Sequence, residues 1–342
     1  MANVQKQFID FHETIKLDNE NETLREKREI VLNKLKKKIS PDAPPYEWFG
    51  QGSYSMSTGI KPLTGEYDID VGLFFDMPKE NTEPVSAKQW VFDALNGHTE
   101  SVIIKTPCVT VTYKENGQPS FHVDLTVYAA KNADGKIYLA KGRPNSALEN
   151  KFWEPSDPKE LIRLVNTHFD EADDRAQFRR VIRYLKRWKD EKFQSGGHSA
   201  PTGIALTVSA MSYMRPIYLV DSFTNKRKYD DLSALKTFIK NLLNAFKLII
   251  RIDGSQVERL EVRVPTPNYD DLFAKMTDNQ ITTFKNKLEN LLDALEEAEA
   301  EVDPVEACEI LQKQFGNDFR VPPKDETAKQ KSVAVTTGSS SA

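Results

Sequence analysis

The chain has 342 residues, 39% of them hydrophobic and 29% charged, which is typical of a folded globular protein and excludes disorder for most of its length. This length suffices for two lobes. The formal net charge of −4 argues against a surface that is basic throughout. The sequence contains no run of about 18 apolar residues, so it predicts no membrane-spanning helix. The only two cysteines, Cys108 and Cys308, exclude a disulfide framework or a Cys-rich zinc site, so we expect a cytoplasmic protein without membrane association.

The first half of the chain changes from a helical to a β-type pattern. Residues 3–39 carry apolar side chains at helical spacing among many charges, which predicts one helix that ends before Pro41. The segments that follow predict strands with one helix among them: Tyr67–Phe75, helix Ser86–Leu95, Ser101–Tyr113 and Phe121–Ala130. Asn116-Gly117 indicates a hairpin between the last two.

After Pro158 the pattern is mostly helical. The predicted helices are 158–169, 173–193, 201–214, 231–248, 270–299 and 304–315, with a β-type segment at Arg259–Val264. The polar end from Lys324 to Ala342 predicts a disordered tail. The overall expectation is an α+β protein with a mixed N-terminal lobe and a helical C-terminal lobe.

The stretch with the clearest chemical signal begins at Gly50 and ends at Val71. Gly50–Gly59 is rich in Gly, Ser and Thr, and such a turn can bring backbone N–H groups and hydroxyls close to phosphate oxygens. Asp68 and Asp70 follow in a predicted strand, where residues i and i+2 point to the same face. Two neighbouring carboxylates repel each other unless a cation lies between them, and Mg²⁺ with a triphosphate suits such a pair.

A third carboxylate lies on a later strand. In Phe121–Val127 the apolar residues alternate with His122, Asp124 and Thr126, so Asp124 points away from the core. If this strand lies near Asp68 and Asp70, Asp124 completes a site of three carboxylates for two metal ions. Each motif alone has an ordinary structural explanation, such as a plain turn or a solvated strand face. Their order and spacing together are more specific.

This order resembles the DNA polymerase β-like nucleotidyltransferase superfamily, and more closely the CD-NTases, the cyclic GMP-AMP-synthase-like enzymes of bacterial CBASS anti-phage systems. The resembling segments are 51–56, 66–70, 122–125, 181–188 and 200–206. The resemblance implies a palm of mixed sheet with flanking helices, a helical C-terminal lobe and an active site in the cleft between them. It divides the chain into an N-terminal helix packed across both lobes (1–44), a catalytic palm (45–155), a helical nucleotide-binding lobe (156–322) and the tail (323–342).

The resemblance also assigns residues to roles. It implies that Asp68, Asp70 and Asp124 are catalytic and bind two Mg²⁺ ions, for which Mn²⁺ can substitute. The resemblance also implies that seven residues bind the nucleotide: Gln51, Gly52, Ser53, Tyr54, Lys186, Ser199 and Thr202. Thr202 stands where the family often has Ser, with Ser199 as a second candidate. Gly203 replaces a frequent aromatic residue, so base stacking must come from elsewhere, with Tyr54 and Tyr213 as candidates.

The helical segment 173–193 supports Lys186 independently. Arg179, Arg183 and Lys186 share one helical face, whereas an apolar stripe that includes Phe178 and Trp188 occupies another. A solvated charged face is the ordinary interpretation of such a pattern. A phosphate-binding role is favoured here by the neighbouring triphosphate site.

The predicted function is a metal-dependent nucleotidyltransferase that joins NTPs, ATP among them, into a cyclic di- or trinucleotide messenger and releases pyrophosphate. The alternative is transfer of a nucleotide to RNA, a protein or a small molecule. A non-catalytic relative is disfavoured because all three carboxylates are present. The sequence leaves open the bases and the linkage. It also leaves open an RNA activator, and a regulatory CBASS partner that acts on the tail.

Overall fold

The computed structural model describes residues 3–17, 22–63, 65–115, 117–193 and 199–324. The helices are α1 Gln5–Ile15, α2 Glu22–Lys38, α3 Gly52–Ser55, α4 Pro84–Leu95, α5 Pro158–Asn166, α6 Ala172–Lys192, α7 Gly203–Tyr213, α8 Asp231–Asn244, α9 Asp278–Ala300 and α10 Pro304–Phe315. The strands are β1 Tyr46–Gln51, β2 Tyr67–Phe75, β3 Ser101–Ile104, β4 Val109–Glu115, β5 Gln118–Ala129, β6 Tyr138–Ala140, β7 Trp153–Pro155, β8 Tyr218–Val220, β9 Arg227–Tyr229, β10 Lys247–Ile250 and β11 Gln256–Arg259.

The N-terminal lobe is built on a mixed sheet with the order β1-β2-β5-β4-β3, to which β6 and β7 add beside β5. The central pair β2 and β5 is parallel, whereas β1 with β2 and β4 with β5 are antiparallel. Alternate residues of the central strands, among them Val71 and Val123, are fully buried against α2 and α4. The polar residues between them therefore point to the opposite face, toward the helical lobe.

The C-terminal lobe is organised around α6. Phe178, Val181, Ile182, Leu185 and Trp188 are all fully buried, so the apolar stripe seen in the sequence is core. Helices α7 to α10 surround it, and the short hairpins β8–β9 and β10–β11 project from the lobe. The expected α+β architecture, with a mixed-sheet lobe and a helical lobe, is confirmed.

The prediction of one helix over 3–39 is wrong, because the structure has two. Helix α1 packs on the helical lobe through Phe8, Phe11 and Ile15, whereas α2 packs on the sheet. Between them Lys16 takes an extended conformation and pairs with Ile60, which ends α1. The two apolar faces serve two different cores, and one continuous helix would not place both.

Several other boundaries differ from the prediction. The segment Ser101–Tyr113 forms the hairpin β3–β4, because the chain turns before Val109. Helix α8 ends at Asn244, and the following residues form β10, which was not predicted. The β-type segment predicted at Arg259–Val264 is displaced to β11. Helix α9 begins at Asp278 rather than 270, because Thr277 and Gln280 form a capping box there.

The predicted disordered tail lies, from residue 325 onward, outside the described residues. Across the part of the chain that the structure describes, no helix combines the length and apolar character needed to cross a bilayer.

Candidate active site

The Gly-Ser segment forms a tight turn against the carboxylates. Strand β1 ends at Gln51, and Gly52 opens the single-turn helix α3 with a φ of +73°. A Cβ atom at Gly52 would lie 1.9 Å from Oδ2 of Asp70. The position therefore requires glycine for two reasons, the left-handed backbone and the close approach of the carboxylate. The turn places Ser53 at the edge of the same site.

The three predicted carboxylates meet on two neighbouring strands. In the parallel register of β2 and β5, Asp70 lies directly opposite Asp124, and Asp68 lies opposite His122. Because side chains alternate along a strand, Asp68, Asp70 and Asp124 project from one face of the sheet. The flanking Ile69 and Val123 are buried on the other face.

The carboxylates are electrostatically costly in this arrangement. Burial, followed by the charges of Asp124 and Asp68, raises the pKa of Asp70 from 3.8 to about 7. The pKa of Asp68, which lies in the more exposed part of the site, is raised by its partial burial and then by Asp124. A site that holds several carboxylates at unfavourable pKa values is prepared for a cation.

Asp124 has two neighbours that the sequence analysis did not identify. The Thr110 hydroxyl donates a hydrogen bond of 2.5 Å to Asp124 Oδ1. The Lys105 ammonium lies 3.9 Å from the same oxygen. Thr110 is the direct partner of Asp124 in the β4–β5 register, so only the pairing of those strands could have revealed it. His122 is engaged separately by Glu66 and Thr112.

Lys186 reaches the site from α6 in the other lobe. It is 5% exposed, and its Nζ atom donates to the Thr58 carbonyl at 3.0 Å and to the Thr58 hydroxyl at 3.1 Å. Burial, with the nearby charges of Lys189 and Arg183, lowers its pKa to about 7. Arg183 donates to the Gly59 carbonyl and Arg187 to the Lys61 carbonyl. Helix α6 thus holds the segment after α3 and places the buried amine of Lys186 beside the cavity that Asp70 also lines.

The three carboxylates, the Gly52–Ser53 turn and Lys186 line one cavity of about 360 Å³ between the two lobes. Its lining consists of Gly52, Ser53, Met56, Asp68, Asp70, Asp124, Leu161, Lys186, Gly203, Ile204 and Thr207. The apolar residues of this lining and Thr207 were not predicted from the sequence, because helix packing alone decides which of them face the cleft. Larger cavities of about 520 and 700 Å³ lie elsewhere on the helical lobe, away from the carboxylates.

Four predicted nucleotide-binding residues, all within the described ranges, do not line this cavity. The Gln51 side chain lies within the sheet, where it donates to Thr126 Oγ1 at 2.6 Å and accepts from the Tyr128 hydroxyl at 3.1 Å. The Thr202 hydroxyl caps α7 by accepting from the Ala205 N–H. Tyr54 lies on α3, and Ser199 lies four residues before α7.

The donor set fits Mg²⁺, a hard cation that prefers oxygen ligands. Within the residues that the structure describes, no three acidic, histidine or cysteine side chains come close enough to enclose a metal ion. Mg²⁺ is ordinarily bound by one or two carboxylates and completes its shell with water and substrate phosphates, so a closed protein cage is not required. Asp68, Asp70 and Asp124 are therefore suited to ions that arrive with a nucleotide.

Comparison with protein families identifies both lobes. Residues 46–128 match the nucleotidyltransferase domain described as "Cyclic GMP-AMP synthase DncV-like". Residues 175–330 match the C-terminal domain of cyclic GMP-AMP synthase. Asp68, Asp70 and Asp124 fall within the first match, and Lys186 falls within the second.

Individual relatives agree with the families. The cyclic GMP-AMP synthase of Escherichia albertii is 29% identical over 197 residues, which represent 55% of this chain and 41% of that protein. The alignment thus spans less than half of the length of this curated relative.

Solved structures share the fold. The Bradyrhizobium diazoefficiens CD-NTase CdnG, in complex with GTP, superposes with a TM-score of 0.65 at 16% identity, over 93% of this chain and 97% of that one. CdnC of E. coli MS115-1, solved with ATP, gives a TM-score of 0.64 at 18% identity, over 92% and 98% of the two chains. CdnC has also been solved in a complex with HORMA-deltaN. The two family matches together cover residues 46–128 and 175–330, so the chain belongs to the DncV-like nucleotidyltransferases, and it shares the fold of the CD-NTases CdnG and CdnC.

Proposed function

We propose that this protein joins nucleoside triphosphates into a cyclic di- or trinucleotide and releases pyrophosphate. The observation that carries the proposal is the convergence of three carboxylates, the Gly52–Ser53 turn and the amine of Lys186 on one cavity. Two-metal nucleotidyl transfer needs these components: oxygen ligands for the ions, a close backbone approach to phosphate, and a cation for the polyphosphate.

The carboxylates, the Gly52–Ser53 turn and the two lobes would each have a part in the reaction. Asp68, Asp70 and Asp124 would hold two Mg²⁺ ions, which supply activation of the attacking ribose hydroxyl and neutralise charge on the departing pyrophosphate. The Gly52–Ser53 turn would bind and orient the donor triphosphate. The two lobes would hold donor and acceptor together and limit water, so that positioning and electrostatics provide most of the rate enhancement. A second transfer would close the ring.

The biological setting follows from the same proposal. We infer that the cyclic product is a second messenger in CBASS anti-phage defence, made in the cytoplasm where nucleoside triphosphates are abundant. CdnC, solved with HORMA-deltaN, provides a precedent for a regulatory protein partner. A partner that acts on the C-terminal tail and an RNA activator are further elements of this proposal.

The experiment that tests the proposal uses four α-³²P-labelled NTPs, with Mg²⁺ or with Mn²⁺, followed by phosphatase. We expect a labelled, phosphatase-resistant product from the wild-type protein and none from the double variant Asp68→Ala, Asp70→Ala. The matched control is Asp76→Ala, which removes an exposed carboxylate just beyond the other end of β2 and should retain activity. Omission of one NTP at a time identifies the bases.

The same assay separates the alternative acceptor. Parallel reactions receive total RNA or a protein extract, and the label is followed onto macromolecules. Label that moves onto RNA or protein, with no phosphatase-resistant small product, would refute cyclisation and support transfer to that acceptor. A double variant that retains wild-type turnover would refute the assignment of the carboxylates.

A further inference from the structure

Lys105 is a cation beside the carboxylates to which the mechanism assigns no part. It lies in the turn between β3 and β4, and its Nζ atom is 3.9 Å from Asp124 Oδ1. Burial raises the pKa of both Asp68 and Asp70, and the charge of Lys105 partly offsets that rise. Its field therefore reaches all three carboxylates. Its side chain is 40% exposed, and the distance to Asp124 is too long for a hydrogen bond.

The backbone of this turn is fixed, whereas the Lys105 side chain is not. The Lys105 N–H donates to the Cys108 carbonyl at 2.8 Å. The fully buried ammonium of Lys88 donates to the carbonyls of Lys105 and Thr106, at 3.0 and 2.8 Å, and to that of Gly142. These hydrogen bonds hold the backbone at Lys105 in place, so any movement is confined to the flexible Lys105 side chain.

A metal ion at Asp124 changes the electrostatics of this pair. A divalent cation and an ammonium ion within a few ångströms of the same carboxylate repel each other. The nucleotide that accompanies the metal brings a polyphosphate, which attracts an ammonium ion strongly. Metal and nucleotide together thus favour movement of Lys105 away from Asp124 and onto phosphate.

We propose that Lys105 is a substrate-binding residue that neutralises Asp124 in the empty site and transfers to the phosphates of the bound nucleoside triphosphate when metal enters. This inference rests on the proposed function and deepens it. It assigns to Lys105 two opposite effects: competition with the metal before nucleotide binds, and attraction for the nucleotide itself. A residue with a merely structural role would affect both kinds of binding in the same direction.

The test compares wild-type protein with Lys105→Ala, Lys105→Arg and the control Lys131→Ala. Lys131 is matched because its Nζ atom also lies 3.9 Å from an aspartate oxygen, that of Asp76 outside the site. Mn²⁺ binding is measured without nucleotide, by electron paramagnetic resonance of free Mn²⁺. Binding of ATP, GTP and inorganic pyrophosphate is measured by calorimetry at a saturating concentration of Mg²⁺. Thermal unfolding of each variant verifies that it is folded.

We expect Lys105→Ala to bind Mn²⁺ at least threefold more tightly and to bind the phosphate ligands about tenfold more weakly, because a charge-assisted hydrogen bond is lost. Lys105→Arg should keep the nucleotide affinity near that of the wild type, and Lys131→Ala should change neither affinity. If both affinities of Lys105→Ala equal those of the wild type, or both are weakened, the inference is refuted while the proposed function stands. A wild-type protein that binds neither Mn²⁺ nor any of the phosphate ligands overturns both.

Discussion

The substitution Asp70→Asn should stabilise the metal-free protein while it abolishes activity. Asp70 lies opposite Asp124 in the strand register and beside Gly52, so its charge is held in a poorly solvated, like-charged environment. Asparagine keeps the shape and removes the charge. Loss of a catalytic carboxylate would then relieve strain that the site maintains for metal binding.

The magnitude follows from the pKa of Asp70, raised from 3.8 to about 7 in the folded protein. The folded state binds the proton more tightly than the unfolded chain, so the free energy of unfolding of the wild type falls as the pH rises through this window. The cost is absent below pH 3.8 and complete above pH 7, where it reaches an upper limit of roughly 4 kcal/mol. Asparagine has no such dependence.

The assay is urea unfolding of both proteins in EDTA at intervals between pH 5 and pH 8. The stability difference between Asp70→Asn and wild type should increase with pH in favour of the variant up to about pH 7 and then level off. Mg²⁺ with nucleotide should stabilise the wild type more than the variant. Asp76→Asn, which changes an exposed carboxylate beyond the end of the same strand, is the control and should leave stability unchanged. A difference that is flat or decreases with pH would contradict this reasoning.

Two further substitutions test the site and the core. Gly52→Ala should abolish activity and cost about 1–3 kcal/mol of stability, because the new Cβ atom meets Asp70 and the backbone is left-handed. The control is Gly135→Ala, where φ is +70° and no atom lies near the new Cβ, so its stability loss measures the cost of the left-handed backbone alone. Asp231→Ala should cost about 3–5 kcal/mol in urea unfolding, because it removes a fully buried carboxylate and leaves the mostly buried Arg180 guanidinium, bound at 2.6 Å, without its partner. The control is Asp221→Ala, whose carboxylate pairs with the exposed Lys228. A loss for Asp231→Ala no larger than that of the control would refute a buried pair.

Local periodicity made the carboxylate triad predictable. Asp68 and Asp70 occur two residues apart in a β-type run, and Asp124 alternates with apolar residues in another, so the face of each strand was encoded in the sequence. The same reasoning identified α6 and its apolar stripe. Where the prediction was wrong, tertiary contacts decided the outcome. The β-bridge between Lys16 and Ile60 ends α1, although the apolar spacing of residues 3–39 predicts one continuous helix.

The amino-acid sequence by itself determined the fold class, the family resemblance and the side chains available for chemistry, because these depend on spacing along the chain. Only the tertiary structure decided which of them meet. The parallel register of β2 and β5 set Asp70 against Asp124, and the β4–β5 pairing brought Thr110 and Lys105 to them. Packing of α6 across the cleft placed Lys186 in the cavity, whereas the sheet held Gln51 within itself. These outcomes depend on contacts between residues far apart in the chain, such as Gly52 against Asp70 and Lys186 against Thr58, which are 128 positions apart. No local pattern encodes such contacts.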